Sequence, residues 1–192
     1  MNPIYLIRHG KTQANLCHLY CGSTDLPLSQ QGIDQLRTLH YHLPPVRFLT
    51  SGMKRTEQTL ELLFGNVPHR QDGAFREIDF GAFEMHSYDQ LKDDPDYIAW
   101  ISGDNHRNVP PGGENGEAMT ARVLEAFRRL QQENIPTALI THGGVIAAIM
   151  ESLFPEEKKS RYQWQPEPGH GYVIFRWGLS AHSLTGYSPT AA

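Results

Sequence analysis

The stretch Pro3-Ile4-Tyr5-Leu6-Ile7-Arg8-His9-Gly10 decides the fold. Ile4 to Ile7 are β-favouring side chains in unbroken succession, the pattern of a strand covered on both faces, as in a parallel sheet flanked by helices. The run breaks at Arg8-His9-Gly10, so polar groups are delivered at the strand's C-terminal end, where open α/β sheets bind ligands. Ala138-Leu139-Ile140-Thr141 ends the same way, in His142-Gly143-Gly144, and leads into an apolar helix carrying Val145, Ile146, Ile149, Met150 and Leu153.

Between these two points strands and helices alternate. Ser29 is placed as an N-cap for a helix with Ile33, Leu36, Leu39 and Leu43 on one face, running to the Pro44-Pro45 stop. Val46 to Thr50 reads as a second strand, and Lys54 to Phe64 as a second helix closed by Gly65. Phe75 to Phe83 fits neither period and is expected to be partly extended, lining a crevice. Ser87 to Ile101 is a short helical stretch broken at Pro95, and Gly103 to Gly113 is an aperiodic, lid-like loop. Glu114 to Asn134 is the longest helix expected, and Gly171 to Trp177 with Ser180 to Thr185 an edge hairpin around Gly178-Leu179. The expectation is a single α/β domain over residues 1–187: a three-layer sandwich with a mostly parallel central sheet flanked by helices, plus a small inserted helical and loop lobe near 72–113. Residues 188–192 are expected to be a disordered tail.

Among 192 residues, 17 Lys and Arg face 21 Asp and Glu, a net charge of −4, so no overall positive field favours a nucleic acid and any anion specificity must be local. No segment approaches the roughly 20 apolar residues of a membrane span, and none near the start has the pattern of a secretory signal. The expected location is the cytoplasm, where Cys17 and Cys21, the two cysteines, remain free thiols. The ten histidines include no His-Glu-x-x-His spacing, and Asp93-Asp94-Pro95-Asp96 reads as a solvated loop, so no metal site is expected.

His9 and His142 occupy matching strand-His-Gly contexts, and strand ends in a parallel sheet converge on one crevice. Arg8 adjoins the first histidine, and Arg55 sits at the opening of a helix that also follows a strand. Guanidinium forks match phosphate oxygens in geometry and remain charged. A pocket of two arginines and two imidazoles prefers a dianion such as a phosphomonoester. Its cations also depress histidine pKa values, leaving a neutral, nucleophilic imidazole near neutrality.

The segment Leu6 to Asn15 resembles the Arg-His-Gly signature of the histidine phosphatase, or phosphoglycerate mutase-like, superfamily. Gly22 to Gly32, the Ser-x-x-x-Arg-x-x-x-Thr segment Ser51 to Thr59, Arg76 to Gly81, Gly112-Gly113-Glu114 and Thr141 to Gly144 follow in that family's order. The resemblance implies that His9 is phosphorylated during turnover, that Arg8, Arg55 and a protonated His142 hold the phosphoryl oxygens without metal or other cofactor, and that Glu77 is the proton donor. It also places Asn15, Cys21, Gly22 and Gly143 in the substrate cradle. From the residues alone, Asp79 and Glu84 compete with Glu77. Lys11, where the family often has Glu, and Cys21 depart from the pattern.

The implied activity is hydrolysis of a small-molecule phosphate ester, since the longer enclosing segments typical of the mutases are absent. The look is closest to the α-ribazole phosphatase branch, with mutase-type transfer, a broad-specificity sugar-phosphate phosphatase and a catalytically silent phospholigand binder as alternatives. A homodimer is left open. Tyr88, Tyr97 and Trp100 either stack on a flat base at the mouth or form lobe core.

Overall fold

The strands appear in the chain as β1 (Ile4–Arg8), β2 (Arg47–Thr50), β3 (His69–Gln71), β4 (Thr137–Thr141), β5 (Gly171–Ile174) and β6 (Ala181–Ser183). They form a six-stranded sheet in the order β3-β2-β4-β1-β5-β6. The computed structural model describes residues 2–104 and 106–175, and the backbone of 181–183. β3, β2, β4 and β1 run parallel, while β5 is antiparallel to β1 and β6 to β5. β1 and β4 pair in the register Ile4↔Thr137 to Arg8↔Thr141, so His9 and His142 leave adjacent strand ends side by side. The bond from His9 N to Thr141 O, 2.9 Å, carries the pairing one residue further.

Helices cover both faces: α1 (Gln13–Leu16), α2 (Gln30–Arg37), α3 (Lys54–Phe64), α4 (Tyr88–Leu91), α5 (Pro95–Ile101), α6 (Gly116–Glu133), α7 (Gly143–Leu153) and α8 (Arg161–Trp164). Successive residues of β1 enter opposite cores, as a period of two requires. Ile4 and Leu6 pack with Leu139, the α6 residues Met119, Val123 and Phe127, and α7. Tyr5 and Ile7 pack with Ala138, Ile140, Val173 and Leu60 of α3. Each fully buried aliphatic or aromatic side chain contributes about 1.5–3 kcal/mol, so both layers are held by the same few strand residues. The architecture is the expected three-layer α/β sandwich. Among the described residues no helix is long and apolar enough to cross a membrane.

Several elements differ from expectation. Ser29 caps α2 as anticipated, its side chain accepting from Gly32 N at 3.0 Å, but the helix ends at Arg37 rather than running to Leu43. The chain then turns so that Tyr41 stacks against Phe64 and its hydroxyl donates to Gly169 O at 2.8 Å. Pro95 opens α5 at its first turn instead of merely interrupting a helix, with Asp94 as N-cap. The segment 75–83 is partly extended, with Arg76 in extended backbone, and is bracketed by 3₁₀ turns at Gly73–Phe75 and Gly81–Phe83, which is why neither regular period fitted. β3 is short, exposed and wholly polar, and α1 and α8 span four residues each. β5 and β6 pair as the edge hairpin, whose turn at Gly178-Leu179 lies outside the described residues, as does the 188–192 tail.

Beyond β3, residues 72–113 carry α4, α5 and a small core of Phe83, Leu91 and Tyr97 packed with Tyr20, Phe80 and Trp100. This segment is stitched to the loop after α1 by Tyr20 N to His86 O (3.0 Å), Met85 N to Tyr20 O (2.7 Å) and a Tyr20–Tyr97 hydroxyl pair at 2.6 Å.

Candidate active site

His9 is nearly sealed from solvent, at 6% exposure. Its Nδ1 lies 2.7 Å from the carbonyl of Gly10, which cannot donate, so Nδ1 carries the proton and Nε2 keeps its lone pair. Burial first, then the charges of Arg55 and Arg8, hold its pKa well below 6.5, against the opposing Gly10 bond. The ring is therefore neutral at neutral pH.

The His142 ring stands edge-on to it, with centroids 5.1 Å apart. Arg55 Nε can only donate, and at 3.2 Å it faces His142 Nδ1, so Nδ1 is an acceptor and the ring proton sits on Nε2. Nε2 donates to Ser51 Oγ at 2.9 Å, from which hydroxyls lead on through Thr56 to the carbonyl of Met53. Burial and then Arg55 hold this pKa well below 6.5 as well. A neutral His142 replaces the expected protonated one: both ring nitrogens are engaged, and burial beside a guanidinium disfavours a further charge.

Arg55 is not a solvated first-turn residue but 1% exposed. Besides His142 it donates to Thr24 O at 2.9 Å and Gly22 O at 2.8 Å. Arg8 donates from Nη1 to Pro166 O at 2.8 Å, and its buried Nε has no hydrogen-bond partner among the described residues. An unpaired buried donor costs about 1–3 kcal/mol, and in a cationic pocket an anion oxygen removes that cost. The N-terminus of α7 adds the positive end of a helix dipole. Gly143 lets it come close: a Cβ there lies 2.7 Å from Gln165 Oε1 and 3.1 Å from Arg8 Cζ.

Glu77 reaches this helix start, its Oε2 accepting from Gly144 N at 2.9 Å and its Oε1 from Ile78 N at 3.0 Å. Its two rivals are engaged elsewhere. Glu84 accepts from the backbone N–H groups of Gly22, Ser23, Thr24 and Phe80 and from the Thr24 hydroxyl. Asp79 accepts from Ser23 Oγ and Gly81 N. The expected cradle changes accordingly. The Gly22 N–H serves Glu84, and Gly22 contributes its carbonyl to Arg55 instead. Asn15 Oδ1 is taken up by Thr12 N and Oγ1, closing the α1 capping box. Cys21 Sγ donates to Thr24 O at 3.6 Å, and burial pushes its thiol pKa up.

Next to Glu77 opens a cavity of about 370 Å³ lined by Ser23, Arg76, Asp79, Gly113, Glu114 and Arg122 among others. Among the described residues no aromatic ring lines it. Tyr97 and Trp100 pack into the core under the segment, as the lobe-core alternative has it, whereas Tyr88 is 57% exposed and lies outside that core. Among the described residues no group of three or more His, Cys, Asp or Glu is arranged to hold a metal ion.

The profile of the histidine phosphatase superfamily (branch 1) matches residues 4–185. The chain belongs to the histidine phosphatase superfamily. It is 32% identical over 177 residues to the adenosylcobalamin/alpha-ribazole phosphatase of Salmonella typhimurium, covering 86% of each chain. A human 6-phosphofructo-2-kinase/fructose-2,6-bisphosphatase is 32% identical over 154 residues, 77% of this chain but 32% of that one. The crystal structure of a putative alpha-ribazole-5'-P phosphatase from Escherichia coli superposes with a TM-score of 0.82 at 27% identity, over 95% of both chains. A phosphoglycerate mutase structure from Thermus thermophilus superposes at 0.72 with 32% identity, over 94% of this chain and 96% of that one. Length thus does not separate phosphatase from mutase in this histidine phosphatase fold.

In this member of the superfamily, His9, His142, Arg8, Arg55, Glu77 and Gly143 meet at one end of the sheet. Gly22 O holds Arg55, Cys21 Sγ meets the Thr24 carbonyl that also accepts from Arg55, and Asn15 caps α1. Sequence reading assigned no role to Ser51, Thr59 or Pro166. Thr59 Oγ1 accepts from Gly10 N at 3.0 Å and donates to Arg55 O at 2.6 Å, joining the two ends of the site. Ser51 and Thr59 lay inside a quoted motif, whereas Pro166 acts through its backbone carbonyl, which leaves no signal in residue type.

Proposed function

We propose that the protein is a metal-independent phosphomonoesterase that works through a phosphohistidine on His9. His9 Nε2 attacks phosphorus, the ester P–O bond breaks, and the leaving alkoxide takes a proton from Glu77. Arg8, Arg55 and the α7 N-terminus supply fixed positive charge for the equatorial oxygens, with no reorganisation as charge develops. His142, whose Nδ1 accepts from Arg55 Nε while its Nε2 donates to Ser51 Oγ, holds the Arg55 guanidinium in place beside them. Glu77, now a carboxylate, accepts a proton from water as that water attacks the phosphohistidine. Inorganic phosphate leaves, with His9 and protonated Glu77 restored. The observation that carries this reading is the lone pair of a neutral, buried His9 Nε2 among two guanidiniums.

Hydrolysis is favoured over transfer because Glu77 itself lines an open cavity, from which water reaches the carboxylate that activates it. The substrate reading is α-ribazole 5′-phosphate, supported by relatives so described that align across most of both chains. We read residues 1–187 as one domain with a 72–113 lobe, acting in the cytoplasm with Cys17 and Cys21 as free thiols, consistent with their unpaired state. Phosphate release measured after EDTA treatment, with α-ribazole 5′-phosphate beside sugar phosphates, phosphoglycerates and nucleotides, tests both parts. Undiminished turnover with the ribazole ester fastest is expected. Loss of activity on chelation contradicts the metal-free chemistry, and a faster sugar phosphate contradicts the substrate.

A further inference from the structure

Arg122, in the second turn of α6, has every N–H committed. Nε and Nη2 bind the two oxygens of Glu114 at 2.8 and 2.7 Å. Nη1 donates to the carbonyls of Ala74 at 2.9 Å and Arg76 at 2.8 Å, and Nη2 also donates to the carbonyl of Glu77 at 3.1 Å. A guanidinium has five N–H groups, so none is left over for a ligand although the residue borders the cavity. Three of the acceptors are main-chain carbonyls of the short turn that carries Glu77. Glu114 grips that turn from its other end, its backbone N donating to Asp79 O at 2.8 Å. The pair is half-buried, with side chains 27% and 22% exposed, and its bidentate geometry cannot be reproduced by a lysine, whose donors radiate from one point.

We propose that Arg122, with Glu114 as its counter-ion, is a positioning residue that fixes the Glu77 carboxyl where it delivers a proton to the leaving oxygen. Three carbonyl contacts hold the turn's backbone while Gly144 N holds the carboxylate, so the side chain is fixed at both ends. The proposal rests on Glu77 being the acid. A displacement of about 1 Å in a catalytic group costs up to about 10²-fold in rate. That loss falls selectively on alkyl esters, whose alkoxide cannot depart without a proton, and less on aryl esters, whose anion leaves unaided.

The test compares kcat/KM for ribose 5-phosphate and p-nitrophenyl phosphate in the wild type, Arg122→Lys, Glu114→Gln and Glu77→Gln. The proposal expects Arg122→Lys and Glu114→Gln each to lower the alkyl-to-aryl ratio by about tenfold or more, in the direction set by Glu77→Gln. Equal losses on both esters in Arg122→Lys and Glu114→Gln, with a selective loss in Glu77→Gln, overturn the proposal and leave Glu77 as acid. Equal losses in Glu77→Gln itself overturn the acid assignment, and the positioning role with it. Should Arg122→Lys fail to fold, Glu114→Gln keeps the side-chain length and decides alone.

Discussion

Gly144 shows how narrowly single residues constrain this site. A Cβ there collides with Glu77 Oε1, a contact that forces the carboxylate aside. Gly144→Ala is expected to cut kcat on alkyl phosphates by about 10²-fold, while circular dichroism shows the fold unchanged. A variant with wild-type kcat contradicts the placement of Glu77. The two buried imidazoles predict the pH behaviour of the free enzyme. Because burial and Arg55 hold His9 well below 6.5, an NMR titration of its ring in the free enzyme should show it still neutral well below pH 6.5, and a midpoint at 6.5 contradicts a neutral, desolvated nucleophile.

Among the elements, the 72–113 segment meets the loop after α1 through the Tyr20–Tyr97 hydroxyl pair, where burial pushes the Tyr20 pKa upward. Removing one hydroxyl leaves the other unpaired. Tyr20→Phe and Tyr97→Phe should each cost about 1–2 kcal/mol, and the double variant less than the sum of the two. Additive losses in urea titrations contradict a shared bond. At this scale legibility followed periodicity. β1, β4, α3 and α7 could be read because burial on known faces imposes a pattern on residue type. β3 could not, since it is a polar edge held by main-chain pairing with β2, and the 3₁₀ turns around Glu77 have no pattern of either regular period. The capping boxes of α1 and α8, Thr12 with Asn15 and Ser160 with Gln163, were signals within reach of the sequence.

For the molecule as a whole, the site was legible where side chains carry it and illegible where backbone does. His9, His142, Arg8 and Arg55 differ from their surroundings in chemical type, whereas Glu77 was separated from Asp79 and Glu84 only by the family resemblance. The loop carbonyls of Gly22 and Thr24, the carbonyl of Pro166 and the five donors around Glu84 could be found only with coordinates. The pH dependence of global stability follows from the same histidines. For His9 and His142 the folded pKa lies below the unfolded 6.5, so the unfolded chain binds more protons as pH falls. Their contribution is intact above pH 6.5 and is lost below it, toward their folded pKa values. His69, whose pKa is raised by its bonds to Val67 O and Glu57, acts oppositely, its stabilisation present below 6.5 and lost as pH rises through the folded value. Two buried rings outweigh one exposed edge, so urea midpoints should fall on acidification below pH 6.5, and midpoints that rise instead contradict the neutral pair.

The account stands most directly on what becomes of the transferred phosphorus. Rapid quenching of turnover with ³²P-labelled phosphate ester is predicted to trap an acid-labile, alkali-stable label that maps to the peptide containing His9 and is absent from His9→Ala. Label on any other residue, or an unlabelled His9→Ala enzyme that still turns over, contradicts it.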